Sequence, residues 1–398
     1  MSDAPARPAQ SGAVLLALIG GQVCLHSCMA GIRMAAPLQA LRAGHAEWAV
    51  GVLMGLFAAA PILLALQAGR LADRHGYHRP MRIAVALTVV GGALALLSTW
   101  LPASFVVLCA AAMLVGAGAN IGLIAILRTA GRSAVGPTEL KRTFAWLGLA
   151  PALSNVFGPV IAGTLIDAGG FRLAFGVLAT LPLLSLAWSR RVPHEAPRAA
   201  ASTAARGSSW DLLKAPGVRG LLLVNWLLSS SWDLHSFLVP ILGHERGFSA
   251  SAIGFVLGAF ATAVSLVRLV IPLIAQRLRE STVLAGAMLG TGAVFAVYPL
   301  VQTAWLMGSL AVLLGLALGS VQPMIMTTLH QLTPHERHGE AIALRSMTIN
   351  FSSASMPLLF GVAGAALGAS VLFWLMGAAV AAGSLEARRV GRPREVRT

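Results

Sequence analysis

The chain has 398 residues, of which 57% are hydrophobic and only 11% are charged. Soluble domains carry about 25% charged residues, so this composition excludes an ordinary soluble protein. The formal net charge of +15 does not indicate nucleic-acid binding, because the basic residues flank apolar segments one by one and do not form a soluble patch.

Twelve long apolar segments follow one another, and the charged residues collect between them. About 20 helical residues cross a hydrocarbon core of about 30 Å. Backbone exposed to lipid must satisfy its own hydrogen bonds, which favours helices, and the alternation of a membrane β-barrel is absent. The sequence predicts transmembrane helices over 13–38, 47–68, 81–100, 104–127, 143–166, 172–189, 217–241, 250–275, 282–302, 304–329, 340–365 and 370–385.

Lys and Arg are concentrated in the connections that follow the even-numbered segments and in the C-terminal tail. Examples are Arg70, Arg74, Arg79, Arg82, Arg128, Arg132, Lys141, Arg142, Arg277, Arg279, Arg337, Arg388, Arg389, Arg392, Arg394 and Arg397. The opposite connections hold only Arg42, Arg172 and Arg246. By the positive-inside rule, we expect a multi-pass protein of the bacterial inner (plasma) membrane with both termini in the cytoplasm.

The chain divides in the middle. Residues 190–216 are the longest polar stretch, rich in Ala, Pro, Ser and Arg, and predict a flexible cytoplasmic linker. On this reading an N-terminal six-helix bundle covers 13–189, a C-terminal six-helix bundle covers 217–385, and a basic cytoplasmic tail covers 386–398.

The two halves also repeat in sequence. Residues 49–74 align without gaps to 252–277, with identities that include Gly51/Gly254, Gly55/Gly258 and Arg74/Arg277. Parallel repeats of this kind imply two bundles related by an axis along the membrane normal.

The connection between the second and third predicted helices reads GRLADRHGYHRP, residues 69–80. It resembles the G-x-L-a-D-r-x-G-r-k loop signature of the major facilitator superfamily (MFS). The matching positions are Gly69, Leu71, Ala72, Asp73, Arg74, Gly76 and Arg79, whereas Tyr77 and His78 depart from it. The resemblance implies an all-α polytopic membrane fold with 12 transmembrane helices in two pseudo-symmetric six-helix bundles. It also implies secondary active transport of a small solute by alternating access.

In that family this loop is a cytoplasmic conformational latch, which places the latch here at Gly69, Asp73, Arg74 and Gly76. We expect Asp73 to lie near the N-terminus of the fifth helix of the other half, where an anion is stabilised. Arg74 is expected to hold its carboxylate in place.

The fifth predicted helix resembles the family's antiporter signature. The matching positions are Ser154, Gly158, Pro159, Ala162 and Gly163, with Ser154 and Ala162 in place of two glycines. In the family the pattern accompanies export; the alternative is a plain packing motif of small residues. The arginine that family exporters often carry in the fourth helix would fall near Ala112 and is missing.

Polar residues inside the predicted helices are the candidates for a substrate or proton pathway, because each is costly at mid-bilayer unless it faces partners or water. Asp233 is the only acid well inside a predicted helix. Helical periodicity places Asn225, Ser229 and Asp233 on one face of the seventh helix. The remaining candidates are Gln22, His26 and Arg33 on one face of the first helix, and Asn120, Asn155, Arg268, Gln322, Arg345 and Asn350.

Asp233 and Arg268 lie on adjacent predicted helices at depths that differ by about 7 Å. We hypothesise an ion pair whose exchange with substrate or proton drives the cycle; the alternative is a static pair that fixes the two helices. For Arg345, the alternative to a role in the pathway is that its side chain snorkels to the cytoplasmic surface. His26 suits a proton carrier, since histidine titrates at about 6.5, or it is a hydrogen-bonded packing residue.

The leading interpretation is a secondary exporter, a proton antiporter for a small amphipathic compound. The alternative is uptake on the same scaffold by proton- or solute-coupled symport. A membrane enzyme or a sensor would show clustered acids or histidines at one membrane face, or a soluble output domain, and the sequence shows neither. We expect a monomer whose partners are a small-molecule substrate, protons and membrane lipid, without nucleic acid, cofactor or metal.

Overall fold

The computed structural model describes residues 12–102, 104–133, 143, 146–194, 209–215, 217–274, 279–333 and 338–390, and these contain no strand. The α-helices in the described residues are α1 (Gly12–Arg42), α2 (Glu47–His75), α3 (His78–Leu97), α4 (Ser104–Ser133), α5 (Leu149–Ser189), α6 (Val218–Glu245), α7 (Ala250–Ile274), α8 (Glu280–Val297), α9 (Ala304–Gly319), α10 (Val321–Leu332), α11 (His338–Leu367) and α12 (Ala369–Val390). Short 3-10 helices cover Ser209–Lys214 and Tyr298–Leu300. Most of the predicted linker (195–208 and 216) and the end of the predicted tail (391–398) lie outside the described residues, as do Lys141, Arg142, Arg277 and Arg337.

Ten helical segments of the described chain are long and apolar enough to cross a membrane. One of them, α5, runs for 41 residues and is interrupted at Gly169 and Gly170. Gly170 has a φ of 76°, in the left-handed region that favours glycine, so the chain turns there into a second arm. Helix α6 is not among the ten, but its 28 residues are enough to cross. Both arms of α5 together with α6 bring the crossings to twelve, and the predicted fold class is confirmed.

The tenth predicted crossing, 304–329, is not one straight helix. It consists of α9 and α10, which meet at Ser320. Pro323 has no N–H to donate, and its ring crowds the carbonyl group four residues earlier, which ends the regular helix at Gly319. The Ser320 hydroxyl donates to the Ala317 carbonyl oxygen at 2.9 Å, so the hydroxyl at the break is satisfied within its own chain segment.

Many large apolar side chains point away from the protein. Leu63, Val106 and Val362 are 73%, 68% and 68% exposed. Soluble monomers rarely expose apolar surface on this scale, whereas in a bilayer lipid tails cover it. The chain is a multi-pass membrane protein.

The described residues group into two compact units. The first falls within Met1–Gln39 and Leu56–Ser202, and its core includes Leu25, Tyr77 and Met81. The second falls within Ala40–Gly55 and Thr203–Thr398. Its buried aromatic side chains include Tyr298 and Phe373, whose rings stack with centroids 4.8 Å apart. The predicted boundaries of the two bundles, the linker and the tail stay predictions.

The start of α2 packs closely on α11 within the second unit. A Cβ atom at Gly51 would lie 2.5 Å from the Pro357 carbonyl oxygen and 3.0 Å from the Cα of Gly361. Both distances are shorter than a side chain tolerates, so only glycine fits at Gly51 without movement of the backbone. The two helices therefore touch main chain to main chain.

Candidate functional site

The polar residues of α6 face α11. Asn225 and Asp233 are 2% and 4% exposed, and both form hydrogen bonds with residues of α11. Eight residues separate them, so they lie about 12 Å apart along the helix axis. The shared face predicted from periodicity is present, and Ser229 lies between them, half-buried.

The carboxylate of Asp233 accepts hydrogen bonds from two serines of α11. Ser352 Oγ donates to Asp233 Oδ2 at 2.9 Å, and Ser353 Oγ lies 3.3 Å from Oδ1 and 3.4 Å from Oδ2. Ser230 Oγ lies 3.0 Å from Ser352 Oγ. A hydroxyl both donates and accepts, so this group can solvate the aspartate whether it carries a proton or not.

A second polar layer lies closer to the predicted cytoplasmic end of the same unit. Arg345 Nε on α11 donates to Asn225 Oδ1 at 3.1 Å, and Arg345 is 9% exposed. Arg268 on α7 lies within electrostatic reach of Arg345. The Nε of Arg268 and the Nδ2 of Asn225 are buried without a hydrogen-bond partner in the described part of the chain.

The hypothesised ion pair between Asp233 and Arg268 is not observed between these described residues. The Asp233 carboxylate accepts from Ser352 and Ser353, whereas Arg268 lies near Arg345. The reason is depth. Arg345 is hydrogen-bonded to Asn225, and Asp233 lies eight residues, or about 12 Å, further along α6.

Sequence reasoning missed Ser352 and Ser353, although a signal was available. They follow Arg345 by seven and eight residues, a spacing that keeps them on one face of a helix. Asn350, which was chosen instead, is exposed, as is Gln322 on α10. Neither belongs to the buried polar layers.

In the first unit, Gln22 and His26 are 1% and 8% exposed on α1. Their Oε1 and Nδ1 atoms are buried without a hydrogen-bond partner among the residues described. Arg33 and Asn120 are half-buried. Asn155 donates from Nδ2 to the Pro151 carbonyl oxygen of its own helix at 2.9 Å, which is a local contact.

The predicted helix-packing signature lies where α5 approaches α1. A Cβ atom at Gly158 would lie 2.7 Å from both Ala30 Cβ and the Ser27 carbonyl oxygen. Pro159 and Gly163 are buried beside it. Close packing of small residues is therefore a property of this segment.

The predicted latch residue Asp73 has a different partner from the one expected. Arg128 Nε, from the end of α4, donates to Asp73 Oδ1 at 2.9 Å, and Arg128 Nη2 lies 3.3 Å from the Asp73 carbonyl oxygen. Arg128 therefore has the role that was predicted for Arg74, which is to hold the Asp73 carboxylate in place. The prediction that 69–80 is a connection was wrong for most of its length, because Gly69, Asp73 and Arg74 lie in the last turns of α2. The chain turns at Gly76, which has a φ of 67°, and Gly69 has open space around it.

The family is decided by sequence comparison. The model of the Major Facilitator Superfamily matches residues 18–230 and 221–397. The chain belongs to the major facilitator superfamily. As an MFS member it is a membrane transporter and not an enzyme.

Two relatives carry the same name. The enterobactin exporter EntS of Escherichia coli O1:K1 / APEC is 26% identical over 305 residues, which cover 75% of this chain and 72% of the exporter. The enterobactin exporter EntS of Shigella boydii serotype 18 (strain CDC 3083-94 / BS512) matches with the same identity and coverage.

Solved structures agree on the fold. A POT family transporter in complex with a thioalcohol conjugated peptide is similar with a TM-score of 0.76 and 14% identity, over 93% of this chain and 94% of that one. A bacterial metal transporter has a TM-score of 0.70 and 16% identity, over 96% and 99%. At these identities the likeness shows an MFS-type fold and nothing about the substrate.

Proposed function

We propose that this transporter exports a small organic solute from the cytoplasm in exchange for protons, by alternating access. Export is supported by the exporter relatives at 26% identity and by the antiporter-like signature in α5. The positive-inside distribution of Arg and Lys supports an inner-membrane location with cytoplasmic termini.

Proton coupling rests on one observation, the buried carboxylate of Asp233 and its hydroxyl partners. An acid in a membrane helix is costly unless it has partners, and such acids often serve in proton relays. Ser352 and Ser353 donate to the carboxylate and can rotate to accept from its protonated form. Asp233 is therefore proposed to bind a proton in one conformational state and to release it in the other.

Vesicles with a known orientation test this proposal. Everted vesicles that contain the wild-type protein are energised with lactate, and the internal acidity is followed with a pH-sensitive dye. Enterobactin is added first, and then a panel of amphipathic organic acids. Exchange with protons should dissipate the gradient for at least one compound.

The variants identify the coupling residue. Asp233→Asn should abolish the response, because the amide cannot carry a proton, while Glu386→Gln at the end of α12 should leave it unchanged. A wild-type response from Asp233→Asn would remove the coupling role. Accumulation in right-side-out vesicles, driven by an inward proton gradient, would assign symport and overturn export.

A further inference from the structure

Two arginines of the second unit, Arg345 on α11 and Arg268 on α7, lie near each other without an acidic partner among the described residues. Arg345 is buried and Arg268 is half-buried. Arg345 donates to Asn225 on α6, which lies seven residues after the start of that helix, or about 10 Å from the end predicted to be cytoplasmic. Three helices therefore contribute two guanidinium groups and one amide to this layer.

The hydrogen bonds of this layer are incomplete. Asn225 uses Oδ1 to accept from Arg345 Nε at 3.1 Å, which leaves its Nδ2 as a donor. That Nδ2 and the Nε of Arg268 are both buried and without a hydrogen-bond partner in the described structure. Every unused group in the layer is thus a donor.

The two positive charges of the layer also lack a negative counter-charge among the described residues. Burying a cation costs several kcal/mol unless a counter-charge or hydrogen bonds compensate it, and a second cation within electrostatic reach adds repulsion. Asp233 does not serve here, because it is about 12 Å deeper and accepts from Ser352 and Ser353. An anion with two or more oxygens would satisfy both the donors and the charges.

We propose that Arg268 and Arg345, with the Asn225 amide, bind the anionic group of the transported molecule, which is an organic anion bearing a carboxylate. Arginine suits this role because its planar fork of donors matches a carboxylate. The inference rests on the proposed transport function and specifies the substrate class. Asp233, held in its own layer, is left to carry the proton.

Equilibrium binding tests the inference without any gradient, so that a failure of proton coupling or of export does not affect the result. The full-length protein is placed in nanodiscs of zwitterionic lipid and titrated calorimetrically with pairs of acids and their methyl esters. The first pair is benzoate and methyl benzoate, followed by other aromatic acids and their esters. Wild-type protein should bind at least one acid about ten-fold or more tightly than its ester, as expected for charge-assisted hydrogen bonds.

The variants separate charge from geometry. Arg268→Gln and Arg345→Gln should each lose that preference, Arg268→Lys and Arg345→Lys should keep part of it, and the exposed Arg279→Gln should keep all of it. Size-exclusion profiles and unfolding temperatures confirm that each variant is folded. The Lys variants preserve the test if a Gln variant does not fold.

Three outcomes would overturn the proposal. The acid preference could survive in both Gln variants, or no acid in the panel could bind better than its ester. In the third, an anionic lipid co-purifies with the wild type, is lost from the Gln variants and is not displaced by any acid. That result would assign the layer to a lipid headgroup.

Discussion

At the scale of single residues, the two polar layers of the second unit differ in what they can hold. Two of the partners of Asp233 are hydroxyls, which accept as well as donate. Around Arg345 and Arg268 the buried atoms without a hydrogen-bond partner in the described residues are donors, so an acceptor would complete that layer. The face of α6 that holds Asn225 and Asp233 thus carries the proposed anion site and the proposed proton site at different depths.

Ser352→Ala should reduce transport by about ten-fold, because a hydrogen bond to a charged group contributes about 1.5–3 kcal/mol. Ser353→Ala should have a smaller effect, since its contacts with the carboxylate are longer. Ser355→Ala is the matched control, because its hydroxyl donates to the Phe351 carbonyl oxygen of its own helix. Initial rates in vesicles measure all three, and equal rates for Ser352→Ala and Ser355→Ala would contradict the assignment.

Helix periodicity was enough to find Asn225 and Asp233, because a side chain's face depends only on its position in the helix. It could not find their partners. Whether Arg268 meets Asp233 or Arg345 depends on how α6, α7 and α11 are shifted along their axes, and spacing within one helix does not contain that information. The same reason explains Arg128, which follows Asp73 by 55 residues in sequence and meets it where α4 approaches the end of α2.

At the scale of elements, α5 combines tight packing with a sharp turn. Its first arm meets α1 through Gly158 and Ser154, whose Oγ lies 3.3 Å from the Val23 carbonyl oxygen of α1. The turn at Gly169 and Gly170 falls in the gap predicted between 143–166 and 172–189. The bend at Ser320 was not predicted, although Pro323 was a signal for it in the sequence, because the apolar pattern continues through 304–329 without a gap.

Gly158→Val should destabilise the protein by about 1–3 kcal/mol or more, which is the usual cost of overpacking. Even its Cβ would lie 2.7 Å from the Ser27 carbonyl oxygen, and backbone cannot move aside as a flexible side chain can. Gly176→Val in the second arm of α5 is the control, since no atom lies within 4 Å of a Cβ there. Thermal unfolding in one detergent compares the two variants, and equal unfolding temperatures would refute close packing at Gly158.

At the scale of the whole molecule, the number of crossings and the charge of the connections determine topology together. The described residues provide twelve crossings, and the predicted orientation rests on the arginine-rich connections. Family membership and the fold were therefore accessible from sequence, through the apolar segments and the loop at Asp73. The transported compound was not, because only a few side chains in the path distinguish substrates.

Single cysteines measure the orientation directly. In a variant without Cys24, Cys28 and Cys109, Ala43→Cys should react with a membrane-impermeant maleimide in intact cells, since its connection is predicted to lie outside. His194→Cys, in a connection predicted to be cytoplasmic, should react only after permeabilisation. The reverse pattern would mean that both termini face outward.

The contact between Gly51 and Gly361 has one more consequence. Where side chains interlock, their rotamers must change each time the contact opens or closes. Where two glycine backbones meet, there are no side-chain rotamers to change. Such a junction loses little side-chain entropy when it closes and leaves no bulky group behind when it parts. The contact between α2 and α11 at this point therefore forms with a small entropic penalty.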